Sequence, residues 1–232
     1  VSTSMLAEDL KPNRLEAAKD VAAEFINGRP NDNIGITLFA GETFTQCPLT
    51  VDHAVLLDMI HNIKCGLIED GTAVGMGVAN AVTRLKDSKA KSKVVILLTD
   101  GTNNKGDISP LTAAEIAKSF GIRVYTIGVG TNGMAPYPYP VGNTVQYINM
   151  PVEIDEKTLT QIAGTTDGNY FRATSNSKLK EVYEEIDKLE KTKLNVKEYS
   201  KREEDYRWFA LAAFLCVLLE VLLRNSILKK IP

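Results

Sequence analysis

The sequence has few of the residues and motifs on which common enzymes depend. Only two of its 232 residues are histidine, His53 and His61, which leaves little for histidine-based catalysis or metal binding. Neither GxxxxGK[ST] nor GxSxG occurs, so the sequence has no phosphate-binding loop or nucleophile elbow of those types. We therefore expect no enzyme activity, and a hydrolase or phosphotransferase on a Rossmann-like sheet stays open as the alternative.

Net charge and cysteine content argue against nucleic-acid binding and against a metal site made of cysteines. The formal net charge is −2, so no basic field favours nucleic acid as a partner. Cys47, Cys65 and Cys216 share no metal-ligand spacing and are interpreted as separate thiols. A Cys47–Cys65 disulfide would require an oxidising compartment.

Strand and helix patterns alternate along most of the chain. Three apolar, β-rich segments with little polar alternation predict strands covered on both faces: residues 34–41, 93–101 and 122–130. Helical patterns lie at residues 12–28, 72–85 and 109–121, the last with Ser109 as predicted N-cap. This order predicts an α/β fold, doubly wound, with a mostly parallel sheet and helices on both faces. Such sheets bind ligands at the carboxyl ends of their strands.

The C-terminal region differs in composition from the rest. Residues 208–228 would form a helix of about 30 Å, and Glu220 is the one polar residue between Trp208 and Leu223. A transmembrane helix is predicted there, with a buried or partner-binding helix as the alternative. The predicted organisation is therefore a domain at residues 1–190, a charged stalk at 191–207, the membrane helix at 208–228 and a basic tail at 229–232.

A proline-rich segment follows the strand at 122–130. It is too long for an ordinary connection and is interpreted as a loop at the carboxyl end of the sheet. Tyr137, Tyr139 and Tyr147 could supply rigid aromatic contacts to a partner protein. The alternative is a loop that packs on its own domain.

Hydroxyl and carboxylate residues form a dispersed pattern in three segments: the start of the chain, the start of a predicted helix and the end of a predicted strand. Ser2-x-Ser4 in VSTSM, Thr72 in EDGTA and Asp100 in LLTDG resemble the metal-ion-dependent adhesion site (MIDAS) of von Willebrand factor A domains. The resemblance implies that Ser2, Ser4, Thr72 and Asp100 hold a metal. The leading Asp of that pattern would be the residue before Val1. Asp70 is interpreted as an outer acid, not a ligand.

Longer segments resemble the bacterial aerotolerance (BatA-type) membrane proteins, among them GLIEDGTAVG, KSKVVILLTDGTNN and the terminal LLRNSILKKIP. The resemblance implies an amino-terminally truncated member, without the first central strand, and a gap between the strands at 34–41 and 93–101. It also implies a bacterial inner-membrane location with the domain outside the cytoplasm. Expected partners are A-domain membrane proteins of the same operon, with a MoxR-type AAA+ ATPase as functional neighbour, in stress or aerotolerance.

The chemistry of the four site residues is consistent with this resemblance. Hydroxyl and carboxylate oxygens are hard ligands that suit Mg²⁺, or Ca²⁺ or Mn²⁺, and not zinc. A single acid leaves much of the ion's charge for a carboxylate from another protein. Without the leading Asp, we expect weakened metal binding, and an inert, metal-free structural tether is the remaining alternative.

Overall fold

The structure is a computed structural model that describes residues 1–131, 133–142 and 144–200, and beyond them 211, 213–217, 219–221 and 223. Contacts divide the chain into two units, Val1–Leu189 and Glu190–Pro232. After a short 3₁₀ turn at Thr3–Leu6, the elements are α1 (Arg14–Asn27), β1 (Ile34–Phe39), β2 (Thr43–Thr50), α2 (His53–His61), α3 (Val74–Leu85), β3 (Val94–Thr99), α4 (Pro110–Ser119), β4 (Arg123–Val129), β5 (Gly133–Val141), β6 (Thr144–Val152), α5 (Glu156–Thr165), β7 (Tyr170–Ala173) and α6 (Asn176–Ser200).

A parallel sheet lies at the centre of the first unit. Its strand order is β3-β4-β7, and both pairs are parallel, with Val94 opposite Arg123 at the start of β3. The predicted α/β fold with a parallel sheet is confirmed. Because all three strands point the same way, their carboxyl ends meet at one edge, where Asp100 follows β3.

Strands β1 and β2 form a separate antiparallel pair. Within the described residues no strand pairs with the other side of β1 or of β3, so the predicted lack of a shared partner between these two strands is confirmed. The Val1 nitrogen donates a hydrogen bond to the Phe39 carbonyl at 2.7 Å. This bond holds Val1 beside the end of β1.

Helices cover both faces of the parallel sheet. Alternate residues of β3 face opposite sides: Val95 and Leu97 pack with α3, α4 and α5, whereas Val94 and Ile96 pack with α1 and α6. A third cluster joins α1 and α2 to β1 and β2, and it contains the buried Cys47. All three described cysteines are free thiols, and burial raises the pKa of the Cys47 and Cys65 thiols.

Two helix starts test the sequence interpretation. Helix α4 begins at Pro110 with the Ser109 hydroxyl accepting from the Thr112 N–H, so the predicted cap is confirmed. Helix α3 begins at Val74 and not at Thr72, and its N-cap residue is Ala73, which has no side-chain cap. The helix predicted from residue 72 therefore begins two residues later, because the chain stays non-helical through Ala73.

The segment predicted as a proline-rich loop is a β-hairpin. Strands β5 and β6 pair antiparallel without a bulge from Gly133 opposite Val152 to Val141 opposite Thr144. The loop prediction is wrong because proline, which usually interrupts strands, is tolerated at an edge where its missing N–H is not needed. Every described side chain of β6 before Val152 is exposed.

The second unit contains the end of α6, which is helical through Ser200. The described residues of the predicted membrane segment, from 211 to 223, are helical and exposed. Within the described part of the chain, no helix combines the length and the hydropathy that a membrane crossing requires. Most of the predicted span 208–228 lies outside the described residues, as do the end of the stalk and the tail at 229–232.

Candidate metal centre

The hydroxyls near the start of the chain meet the carboxylate at the end of β3. Ser2 Oγ and Ser4 Oγ share a hydrogen bond at 2.8 Å, and Ser4 Oγ donates to Asp100 Oδ1 at 3.0 Å. Ser2 and Asp100 are both buried. Three of the four residues singled out in the sequence therefore lie in one hydrogen-bonded group.

Thr72 lies near Asp100, in the loop that precedes α3. A methyl group built on Gly101 would be 3.4 Å from Thr72 Oγ1, so the hydroxyl is next to the residue that follows Asp100. The Thr72 backbone is fixed by Asn104, whose side-chain oxygen accepts from the Thr72 N–H at 2.8 Å and whose N–H donates to the Thr72 carbonyl at 3.0 Å. The Thr72 side chain makes no hydrogen bond to any described residue. The hydroxyl of Thr72 is therefore available as a ligand.

Asp70 fixes the segment that contains Ser2 and Ser4, although it is not part of the hydrogen-bonded group of Ser2, Ser4 and Asp100. Its two carboxylate oxygens accept from the N–H and the hydroxyl of Thr3, at 2.9 and 2.8 Å. The bond from the Thr3 N–H is the main cause that lowers the pKa of Asp70. A charged Asp70 thus holds Thr3, which orients the hydroxyls of Ser2 and Ser4 toward Asp100.

The structure adds two residues that the sequence interpretation missed. Arg14 at the start of α1 is buried and donates from Nη1 to Asp100 Oδ2 at 2.9 Å. Its Nε and Nη2 donate to both oxygens of Asp9, each at 2.7 Å. One signal for this pair was available, because a cation in the first turn of a helix opposes the helix dipole and therefore suggests a nearby acid.

The burial of these charges is offset by their hydrogen bonds. Burial opposes ionisation of Asp9, but the bonds from Arg14 and from the Thr131 N–H outweigh it and lower the pKa of Asp9 to about 2. Burial also disfavours the charged Arg14, whereas its bonds to Asp9 and Asp100 raise its pKa overall. Asp9 and Arg14 are therefore both charged at neutral pH.

The arrangement of donors fits a hard divalent cation. In an octahedral Mg²⁺ site with bonds of about 2.1 Å, neighbouring oxygens lie about 3.0 Å apart. The Ser2–Ser4 and Ser4–Asp100 oxygen distances, 2.8 and 3.0 Å, match that spacing. Among the described residues, no group of three or more His, Cys, Asp or Glu could hold a metal, so this site would depend on hydroxyls and one acid.

The same region is connected to the β5–β6 hairpin. The Glu8 N–H donates to the Pro136 carbonyl at 2.9 Å, and the Tyr147 hydroxyl donates to Glu8 Oε1 at 3.0 Å. Tyr139 and Tyr147 are exposed, and Tyr137 is half-buried. All three tyrosines singled out in the sequence thus belong to a hairpin joined to the segment between Ser4 and Arg14.

Comparison with protein families identifies the domain type. Residues 1–185 match the von Willebrand factor type A domain. Among curated proteins, the chain is 26% identical over its whole length to an uncharacterized protein of Borreliella burgdorferi, of which it spans 68%. It is 32% identical over 79% of its length to a UPF0353 protein of Mycolicibacterium paratuberculosis, and it spans 56% of that relative.

Solved structures show the same likeness. BatB from Bacteroides thetaiotaomicron has a TM-score of 0.71 and 33% identity, with 82% of this chain and 95% of that one covered. An aerotolerance-related membrane protein from Bacteroides fragilis has a TM-score of 0.69 and 33% identity, with 81% and 94% covered.

A more distant structure records a metal at its own MIDAS motif. Proximal thread matrix protein 1 from the mussel byssus has a TM-score of 0.60 and 25% identity, with 79% of this chain and 43% of that one covered, and its MIDAS motif is occupied by zinc. Von Willebrand factor A domains carry such a metal site. With a family match over residues 1–185 and this fold, the chain belongs to the von Willebrand factor type A domain family.

Proposed function

We propose that this chain is a membrane-anchored module that binds other proteins through a divalent cation held by Ser2, Ser4, Thr72 and Asp100. The observation that carries the proposal is the hydrogen-bonded group of Ser2, Ser4 and Asp100 at the carboxyl edge of the parallel sheet. A bound Mg²⁺, Ca²⁺ or Mn²⁺ would supply an electrophilic position for a carboxylate of the partner. The identity of the metal that binds in solution is also a proposal.

The protein's own residues prepare this site before any partner arrives. Arg14 occupies one oxygen of Asp100 and so directs the other toward Ser4. Asp70 holds Thr3 and thereby keeps the hydroxyls of Ser2 and Ser4 in place. Among the described residues, Asp100 is the one acid that accepts a hydrogen bond from these hydroxyls, and Arg14 compensates its charge. A divalent cation bound there would therefore keep an affinity for an acidic residue of a partner.

The partners and the location are proposed from family resemblance and composition. The aerotolerance-related relative is described as a membrane protein, which supports a role in the bacterial envelope. We place the anchor at residues 208–228 in the inner membrane, with the A domain outside the cytoplasm. The partners would be A-domain membrane proteins of the same operon, with a MoxR-type AAA+ ATPase as functional neighbour in stress or aerotolerance.

One observation favours a second function, that of a metal-free structural tether. The guanidinium of Arg14 lies 2.9 Å from Asp100 Oδ2, so a positive charge already neutralises the only acid of the site. A second cation beside it would be repelled. In this alternative, the group of hydroxyls serves only to fix the segment from Val1 to Leu6.

Metal titration separates the two functions. Calorimetry of the full chain with Mg²⁺ and then Mn²⁺ should give saturable binding that Ser4→Ala and Asp100→Asn abolish. Ser119→Ala is the matched control, because it removes a hydroxyl at the exposed end of α4 and should leave binding unchanged. Absence of heat and of any thermal shift at millimolar metal would favour the structural tether.

Partner binding and topology require separate experiments. Co-expression with an A-domain protein of the same operon should give a complex that chelation of divalent metal or Asp100→Asn dissociates. A complex that survives both changes would contradict the metal-dependent function. Protease added to spheroplasts should digest the A domain if that domain lies outside the cytoplasm, and full protection would reverse the proposed orientation.

A further inference from the structure

The β5–β6 hairpin has one blocked edge and one open edge. Residues paired directly across an antiparallel ribbon alternate between those that bond each other and those whose N–H and C=O point outward. The prolines of β5 belong to the residues whose N–H and C=O positions point outward, because they occupy every second position and have no N–H to donate to β6. They are Pro136, Pro138 and Pro140. The Pro136 carbonyl confirms this assignment, because it accepts from the Glu8 N–H outside the ribbon.

The register then determines which groups of β6 point outward. Val145, Tyr147 and Asn149 lie opposite Pro140, Pro138 and Pro136. Their backbone N–H and C=O groups therefore face away from β5, and none of them bonds to another described residue. Strand β6 thus presents three donors and three acceptors along a free edge.

The amino-acid composition of the hairpin leaves the outer edge of β6 unprotected against pairing with another strand. Exposed edge strands usually carry charges, prolines or bulges that prevent pairing with another strand. Residues 133–152 contain no Asp, Glu, Lys, Arg or His, and β6 pairs with β5 without a bulge. Prolines protect the outer edge of β5, whereas the first proline in β6 is Pro151. The protection is therefore one-sided.

We propose that β6 is a dimerisation strand that pairs antiparallel with β6 of a second copy of this chain. The two-fold axis would pass between the two copies of Tyr147, and Val145 of each copy would lie opposite Asn149 of the other. In this register, all three outward donors of each strand find carbonyl acceptors, which gives six hydrogen bonds. A second copy is the occupant because the edge is uncharged and self-complementary.

The prolines explain why such pairing would stop at two copies. The joined hairpins form a four-stranded sheet in the order β5-β6-β6-β5, and each outer edge is then a β5 strand. Pro136, Pro138 and Pro140 offer no N–H to a further strand, so growth beyond the closed pair is blocked. A hairpin of two strands is marginally stable alone, and two further strands would stabilise it.

Sedimentation velocity of the full chain in detergent tests the association. The wild type should form a reversible dimer, and Tyr147→Pro should raise its dissociation constant about thirtyfold, because two of the six hydrogen bonds are lost. Proline is tolerated at this position within the hairpin, since the N–H points away from β5. Tyr147→Phe is the matched control, because it loses only the hydroxyl bond to Glu8 and should still dimerise.

Cysteine cross-linking tests the register. In a background with Cys65→Ser and Cys216→Ser, oxidised Tyr147→Cys should form a disulfide-linked dimer, since directly paired residues lie about 5.5 Å apart. Val145→Cys alone should not, because its copies would be offset by about 13 Å along the strands. Val145→Cys combined with Asn149→Cys should cross-link again.

Three outcomes would overturn this proposal. The first is a wild-type chain that stays monomeric, which would leave the edge to a strand of a different protein. The second is a dimer that Tyr147→Pro leaves intact, with thermal unfolding showing that the variant is folded. The third is equal cross-linking at positions 145 and 147. The dimer needs no metal, so Asp100→Asn should not affect it, and its failure is distinguishable from failure of the metal-dependent function.

Discussion

Arg14 and Asp100 are separated by 86 positions in the chain, yet Arg14 Nη1 donates to Asp100 Oδ2 at 2.9 Å. Both side chains are almost fully buried, with 3% and 2% of their surfaces exposed. The same guanidinium binds both oxygens of Asp9, so one cation joins the end of β3 to the segment before α1. The candidate metal centre therefore depends on a buried ion triad as well as on its hydroxyls.

Removing the cation of this triad should destabilise the fold. Arg14→Met leaves Asp9 and Asp100 as buried, uncompensated charges, and we expect the free energy of unfolding to fall by about 3–5 kcal/mol. Denaturant unfolding measures this loss. Lys180→Met is the matched control, since Lys180 pairs with Glu24 at the surface and its loss should cost about 1 kcal/mol or less.

Divalent cations provide an additional readout for the same variant. If the centre binds Mg²⁺, the ion can replace part of the missing positive charge, and millimolar Mg²⁺ should restore part of the lost stability of Arg14→Met. A loss of stability equal to that of Lys180→Met would contradict the structural role assigned to the triad.

Asp9 should make stability dependent on pH in the acid range. Its folded pKa of about 2 lies below its ordinary value of 3.8, so its contribution is complete above pH 4 and is lost as the pH falls toward 2. The shift corresponds to about 2 kcal/mol. Thermal unfolding of the wild type and of Asp9→Asn should therefore differ most at neutral pH and converge in acid. A constant difference between the two proteins down to pH 2 would rule out this contribution.

Thr72 should contribute to metal binding through its hydroxyl alone. Thr72→Val keeps the shape of this buried side chain and removes the oxygen, so we expect the affinity for Mg²⁺ to fall at least tenfold. Thr72→Ser keeps the oxygen and should stay close to the wild type. Calorimetric titration of both variants decides the matter, and equal affinities would remove Thr72 from the ligand set.

Gly75 allows α3 to approach the loop before α4. A methyl group at this position would lie 2.0 Å from the Ile108 carbonyl oxygen, so Gly75→Ala requires a shift of backbone and should cost about 1–3 kcal/mol. Gly164→Ala in α5 meets no atom within 4 Å and should stabilise the protein by about 0.5–1 kcal/mol, because alanine favours helix. Melting temperatures of the two variants should therefore move in opposite directions, and parallel shifts would contradict this packing.

The parallel sheet and several helices could be predicted because their signals are local. Continuous apolar segments at β3 and β4 predict buried strands, and Ser109 followed by Pro110 predicts a helix start. The hairpin was missed because prolines usually exclude strands, and its one-sided proline pattern becomes meaningful only with a register. The start of α3 was predicted two residues too early. Helix boundaries depend on tertiary contacts, such as the bonds between the backbone of Thr72 and Asn104.

By itself, the sequence indicated which oxygens to propose as metal ligands, because Ser2, Ser4, Thr72 and Asp100 resemble the adhesion-site motif of von Willebrand factor A domains. Only the tertiary structure decided that Arg14 shares Asp100 with Ser4 and that Asp9 compensates Arg14. The physical reason is that pattern and propensity act over a few residues, whereas a buried charge must find its partner wherever the fold brings one within reach.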